Sequence, residues 1–140
     1  MLLLDTNILI SRDDIYLEPT EKVTASILSR SELEVGIQIA EDPDEREERL
    51  EILRDWDALI EWQPYTIADT RSYGILAAAA FRAGSKKNAR SVDMHIAAQA
   101  YTLGAGLLTL NTADYQSIRE LVSIKKPRFI ETPRWPNAEA

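Results

Sequence analysis

Apolar residues recur along this chain in short blocks, separated by stretches with helical spacing. Leu2-Leu3-Leu4 is an apolar run that stops at Asp5 and predicts a buried strand. Thr6 to Ser11 follows as a short helix. Val23 to Ile27, small and β-branched, predicts a second strand. Ser29-Arg30-Ser31-Glu32 has the spacing of a capping box, with Leu33, Ile37 and Ala40 behind it at helical intervals. Pro43 suits a first helical turn, and Leu50, Leu53, Trp56 and Ile60 place an amphipathic helix over residues 44–59. Thr66 to Asp69 predicts another helix start, Ala77 to Ala80 are strong helix formers, and Gly84 is a stop. Ser85 to Ser91 reads as a polar, basic loop. Ser91 then caps a helix through Ala100 that ends at Gly104. Gly106 to Leu110 is a third apolar strand candidate, and Phe129-Ile130 a last edge strand. Pro133 and Pro136 make the tail irregular.

Short apolar strands alternating with helices of 10–15 residues predict an α/β domain with a mainly parallel sheet flanked by helices. The 140 residues suit one domain, with a core over 1–122 and a last strand and tail over 123–140. No run approaches the roughly 18 apolar residues of a membrane span. The N-terminus has no basic segment ahead of its apolar run, so a signal peptide is not expected and a cytoplasmic location is. With no cysteine and a single histidine, His95, the chain has no disulfide, thiolate zinc site or multi-histidine metal site. His95 is two residues from Asp93, on a different helix face, and reads as a packing or surface residue.

The net charge of -7 argues, taken alone, against a nucleic-acid partner, but its distribution changes the picture. Residues 1–70 carry 6 basic and 18 acidic residues and residues 71–140 carry 10 and 5, so the halves stand at -12 and +5. Much of the acid lies over Glu41 to Glu48. Much of the base lies at Arg82, Lys86, Lys87 and Arg90, and again at Lys125, Lys126, Arg128 and Arg134. The acidic helix, with Trp56 and Trp62, reads as a candidate partner-facing surface.

Four acids fall where strands end or helices begin: Asp5, Glu32, Asp93 and Asp114. Each has an ordinary structural reading, as a cap, a capping-box member or a first-turn acid. Together, on the carboxyl edge of one parallel sheet, they would repel one another without a cation. Oxygen ligands alone suit Mg²⁺ or Mn²⁺, whose chemistry serves phosphodiester hydrolysis. The chain has no Gly-rich dinucleotide or phosphate loop and no Gly-x-Ser-x-Gly elbow.

The same residues sit in four short motifs. Leu4-Asp5-Thr6-Asn7, Ser31-Glu32-Leu33-Glu34-Val35-Gly36-Ile37, Asp93-Met94-His95-Ile96-Ala97-Ala98 and Leu108-Thr109-Leu110-Asn111-Thr112-Ala113-Asp114-Tyr115 resemble, in order and spacing, the motifs of PIN-domain ribonucleases. The likeness runs to about residue 120. By length and wording it is nearest to VapC-type toxins of toxin–antitoxin pairs. It departs at Ser31, where Ala is commoner, and at Met94-His95. The resemblance implies a PIN-like three-layer sandwich and an Mg²⁺-dependent endoribonuclease that acts on tRNA or other RNA. It also implies a homodimer neutralised by a cognate antitoxin. It makes Asp5 and Asp93 the principal metal ligands, Glu32 a ligand or water-positioning group, and Asp114 the fourth acid, a place that Asn111 shares. Thr6, Asn7, Thr109 and Asn111 would orient the carboxylates. The RNA backbone would then lie against Arg82, Lys86, Lys87 and Arg90. A PIN-like binding or scaffold module without catalysis is the first rival. The second is a phosphotransfer receiver domain, which needs an acidic pair near the first strand, a central phosphoacceptor Asp after the third and a late Lys after a strand; Asp5 lacks the acidic neighbour and Thr109 is not followed by the expected Lys.

Overall fold

The computed structural model describes residues 1–130, apart from the side chain of Lys87. Five strands form one sheet: β1 (Leu2–Leu4), β3 (Val23–Ser26), β4 (Trp62–Gln63), β5 (Gly106–Leu108) and β6 (Ile124–Lys125). Their order is β4-β3-β1-β5-β6 and every pairing is parallel. Leu4 stands opposite Ala25 on one side and Leu108 on the other. A separate antiparallel ribbon joins β2 (Ile15–Tyr16) to β7 (Arg128–Phe129).

Successive strand residues point to opposite faces, and the two faces carry different cores. Leu3 and Leu107 pack with Leu76, Ala80, Met94, Ile96, Tyr115 and Ile118, from α4 (Ile67–Arg82), α6 (Val92–Leu103) and a 3-10 helix over Thr112–Ile118. Leu4 and Leu108 pack with Ile8, Leu9, Leu33, Ile37, Leu53 and Trp56, from α1 (Thr6–Ile10), α2 (Ile27–Ile39) and α3 (Pro43–Leu59). The sheet therefore lies between two helical layers, as the strand-helix alternation predicts. No helix among the described residues is long and apolar enough to cross a membrane.

Several boundaries differ from the sequence pattern, each for a local reason. Ser26 takes the N-cap and accepts from Leu28 N at 3.0 Å, so α2 starts at Ile27 and Glu32 sits in its second turn. The Ser29–Glu32 capping box does not form, because Ser29 is buried against Thr6. The basic loop holds one helical turn, α5 (Lys86–Ala89). The last strand does not edge the main sheet: Arg128–Phe129 pairs with β2, while Ile124–Lys125, beyond residue 122, forms the edge. The Thr66–Asp69 start is a full capping box, and Gly104, in the left-handed region at φ 64°, ends α6. Trp56 is not available to a partner, since it is 5% exposed and donates its indole N–H to Leu9 O. The acids of α3 are partly neutralised at home, Asp55 by Arg12 and Asp57 by Arg30. Pro133, Arg134 and Pro136 lie outside the described residues.

Candidate active site

Counting only the main sheet, the strand order in chain sequence is 3-2-1-4-5. It reverses between β1 and β5, and ligands in open parallel sheets bind beyond the carboxyl ends at such a switch point. The residues that follow these two strands are Asp5 and Thr109. Asp5 N donates to Leu108 O at 2.9 Å, which holds the two strand ends together.

Asp5 is only 3% exposed, so its carboxylate needs protein donors in place of water. Three are present. Thr6 N donates to Oδ1 at 2.8 Å, while the hydroxyls of Thr109 and Tyr115 donate to Oδ2 at 2.8 and 2.9 Å. The two hydroxyls occupy both lone pairs of Oδ2, which leaves the remaining lone pair of Oδ1 as the free acceptor. Burial and the neighbouring carboxylates hold the Tyr115 phenol above its ordinary pKa, so it stays protonated as a donor. Tyr115 enters the sequence pattern only as the aromatic that closes the fourth motif; that position is the signal from which its role could have been read.

The residues expected to orient the carboxylates have different hydrogen-bond partners, and two of them, Asn7 and Asn111, bond no carboxylate. The Thr6 hydroxyl lies 2.8 Å from Glu32 Oε1, to which it donates, and 2.8 Å from Ser29 Oγ. Ser29 is a further member of the site that the capping-box reading concealed. Thr109 touches Asp5 directly. Asn7 acts one bond away: its Nδ2 donates to Thr109 Oγ1 at 3.3 Å and its Oδ1 accepts from Leu110 N at 3.1 Å. Asn111 contributes its backbone, with N donating to Thr109 Oγ1 at 3.1 Å.

Asp93 lies in the first turn of α6, behind the Ser91 cap. Its pKa is pushed up to about 6, by desolvation first and then by the charges of Asp5, Glu32 and Asp114. The four predicted acids are thus within electrostatic reach of one another. Among the described residues none of them is in an ion pair. Nor do any three Asp, Glu or His side chains there already close round a single point. An Mg²⁺ ion does not require that, since it keeps several waters and takes one or two carboxylates directly. The oxygen donors and the uncompensated negative charge fit such an ion. His95 is packed, its ring stacked on Tyr73 at 3.8 Å, and burial lowers its pKa.

Of the predicted basic residues, Arg82 ends α4, Lys86 lies in α5 with its Nζ 5.4 Å above the Phe81 ring, and Arg90 caps α5. All three are exposed, on the segment that leads into the turn bearing Asp93. Lys87 has its backbone in α5, but its side chain lies outside what the structure describes.

No family model and no curated protein sequence matches the chain. Solved structures do. A member of the VapBC family of toxin–antitoxin systems, VapBC-5 from Mycobacterium tuberculosis, superposes with a TM-score of 0.72 at 27% identity, over 90% of this chain and 96% of that one. The chain has the fold of a VapC-type PIN-domain toxin. VapBC2 from Rickettsia felis, bound to a DNA fragment from its promoter, gives a TM-score of 0.72 at 21% identity, over 91% and 100% of the two chains. DNA-bound VapBC from Salmonella typhimurium gives 0.71 at 20%, over 89% and 96%. In this VapC-type fold Asp5 and Thr109 occupy the ends of the two central strands, with Glu32 and Asp93 supplied by α2 and α6.

Proposed function

We propose that this chain is the toxin of a toxin–antitoxin pair and that it cleaves RNA as an Mg²⁺-dependent endoribonuclease, acting in the cytoplasm. The observation that carries the reading is the Asp5 carboxylate. It is buried at the switch point of the sheet, fixed by three donors, and faced by three further acids, none of the four being in an ion pair among the described residues. A structural role alone gives no reason to keep that repulsion. Asp5 and Asp93 would hold Mg²⁺ (or Mn²⁺), with Glu32 and Asp114 completing the acidic surround. The bound ion would activate water and offset charge developing on the phosphate.

What the chain itself does is orientation. Thr109 and Tyr115 present the Oδ1 side of Asp5, and Thr6 fixes Glu32. Arg82, Lys86, Lys87 and Arg90 would take the backbone phosphates beside Asp93. The antitoxin partner is supported by the toxin–antitoxin complexes among the structural neighbours. It is supported too by an apolar cavity of about 200 Å³ lined by Ile10, Glu32, Leu33, Gly36, Arg49 and Ile52. That cavity adjoins Glu32, so a segment seated there would reach the acidic site. A homodimer completes the proposal.

The deciding experiment is cleavage of RNA by the purified protein with and without Mg²⁺. The wild type cuts only with Mg²⁺, while Asp5→Asn and Asp93→Asn stay folded and inactive. If both variants cut at the wild-type rate, the assignment is wrong. Expression separates the scaffold rival, because a scaffold is harmless and the toxin arrests growth. The receiver rival is disfavoured by topology, since receivers have the order 2-1-3-4-5.

A further inference from the structure

The basic segment between α4 and α6 is tied down unevenly. Asn88 Nδ2 donates to Asp114 O at 3.3 Å, Tyr73 donates its hydroxyl to Ala89 O at 3.0 Å, and Ser91 Oγ donates to Asn88 O at 2.8 Å. Arg90 stands between these anchors. Its neighbour Ala89 is buried in the core, and Ser91 caps the helix that carries Asp93. Its own side chain is exposed and, among the described residues, has no carboxylate partner. Lys86 differs, because its ammonium already lies over Phe81.

Tyr73 is itself held in place. Its ring stacks on His95 at 3.8 Å with 4° between the planes, and His95 Nδ1 shares a hydrogen bond of 2.7 Å with the Tyr65 hydroxyl. His95 belongs to α6, two residues beyond Asp93. The stack therefore fixes the Ala89–Arg90 backbone relative to the helix that presents Asp93.

We propose that Arg90 is the cation that sets the position of the RNA phosphate backbone over the acidic site, and that Tyr73, acting through Ala89, is its positioning residue. This rests on the RNA reading above. A guanidinium on a fixed backbone presents a planar fork to a phosphate, whereas a charge on a mobile stem adds affinity without register.

The test is a double-mutant cycle on Arg90→Gln and Tyr73→Phe, read by fluorescence anisotropy on a labelled single-stranded RNA without divalent cation. Arg71→Gln, on the exposed face of α4, is the control. Arg90→Gln weakens binding about tenfold at low salt, as for loss of a charge-assisted contact. It also makes the salt dependence shallower by about 0.7 in log–log slope, the value for one phosphate contact on a single strand. Tyr73→Phe keeps every charge and the aromatic stack but cuts the tether, and weakens binding less, by about threefold. The double variant binds no more weakly than Arg90→Gln, because Tyr73 acts only through Arg90. Wild-type binding by Arg90→Gln, losses that multiply in the double variant, or an equal loss in Arg71→Gln overturns the proposal. A wild type that binds RNA but does not cut it with Mg²⁺ overturns the nuclease reading and leaves Arg90 in place. A wild type that does neither overturns both.

Discussion

The Tyr115 hydroxyl donates to Asp5 Oδ2 at 2.9 Å, joining residues 110 positions apart inside the protein. Thr109 donates to the same oxygen, so the carboxylate cannot rotate without breaking two hydrogen bonds. Tyr115→Phe leaves the ring in the core and removes one of them. Hydrogen bonds to charged groups contribute about 1.5–3 kcal/mol, so urea unfolding shows a loss of that order. Mn²⁺ affinity, read by thermal shift, falls about tenfold, as expected if Asp5 is the proposed ligand and is less well oriented. Unchanged values for both would mean that Thr109 alone orients Asp5.

Asp93→Asn separates repulsion from folding. The Asp93 charge is disfavoured by burial and by Asp5, Glu32 and Asp114. Without divalent cation at pH 8, the Asn variant therefore melts higher than the wild type, and added Mg²⁺ raises its melting temperature less. A lower melting temperature in EDTA would show that the carboxylate stabilises the apo fold.

The pH dependence has a definite sign. Asp93 titrates at about 6 when folded, against 3.8 as its ordinary value. A raised acid pKa means that the folded state binds more protons between those limits, so metal-free stability falls as pH rises from about 4 to about 6. In the proposed site Mg²⁺ would compete with the proton for the same carboxylate. Its stabilising effect is thus larger at pH 7.5 than at pH 5, which differential scanning calorimetry at the two pH values measures. Equal shifts would place the ion away from Asp93.

Trp56→Ala tests the corrected role of the acidic helix. The side chain fills the core beneath α1 and its N–H bonds Leu9 O at 3.0 Å. The variant loses about 3–5 kcal/mol in chemical denaturation, as for other buried aromatics cut to alanine. A partner-facing tryptophan would leave stability unchanged and weaken only association.

Much of the fold was legible because its signals are local. Leu2-Leu3-Leu4, the Thr66–Asp69 capping box and Gly104 each specify an element through a few adjacent residues. The short strands β2, β4 and β6, two residues each, carry no period long enough to read, and their pairing is a tertiary fact. The start of α2 lies ahead of the Ser29–Glu32 box because Ser26 caps it, and the burial of Ser29 against Thr6 is a tertiary fact that local spacing does not carry. In the site, the motifs brought Asp5, Glu32, Asp93 and Asp114 to notice. The donors on Asp5 were harder to read, since a tyrosine in an apolar setting looks like core until its hydroxyl is seen to have a partner.

The central pairing of β1 with β5 joins Leu2 to Gly106 and Leu4 to Leu108. Two of the three donors to Asp5, Thr109 and Tyr115, lie beyond that point. During synthesis the first residues of the site therefore emerge long before the last, by on the order of ten seconds at ribosomal rates of about 5–20 residues per second. Through that interval the nascent chain holds Asp5 and Glu32 but no formed acidic site. Completion of the acidic site is thus withheld until Tyr115 has been made, a delay written into strand order.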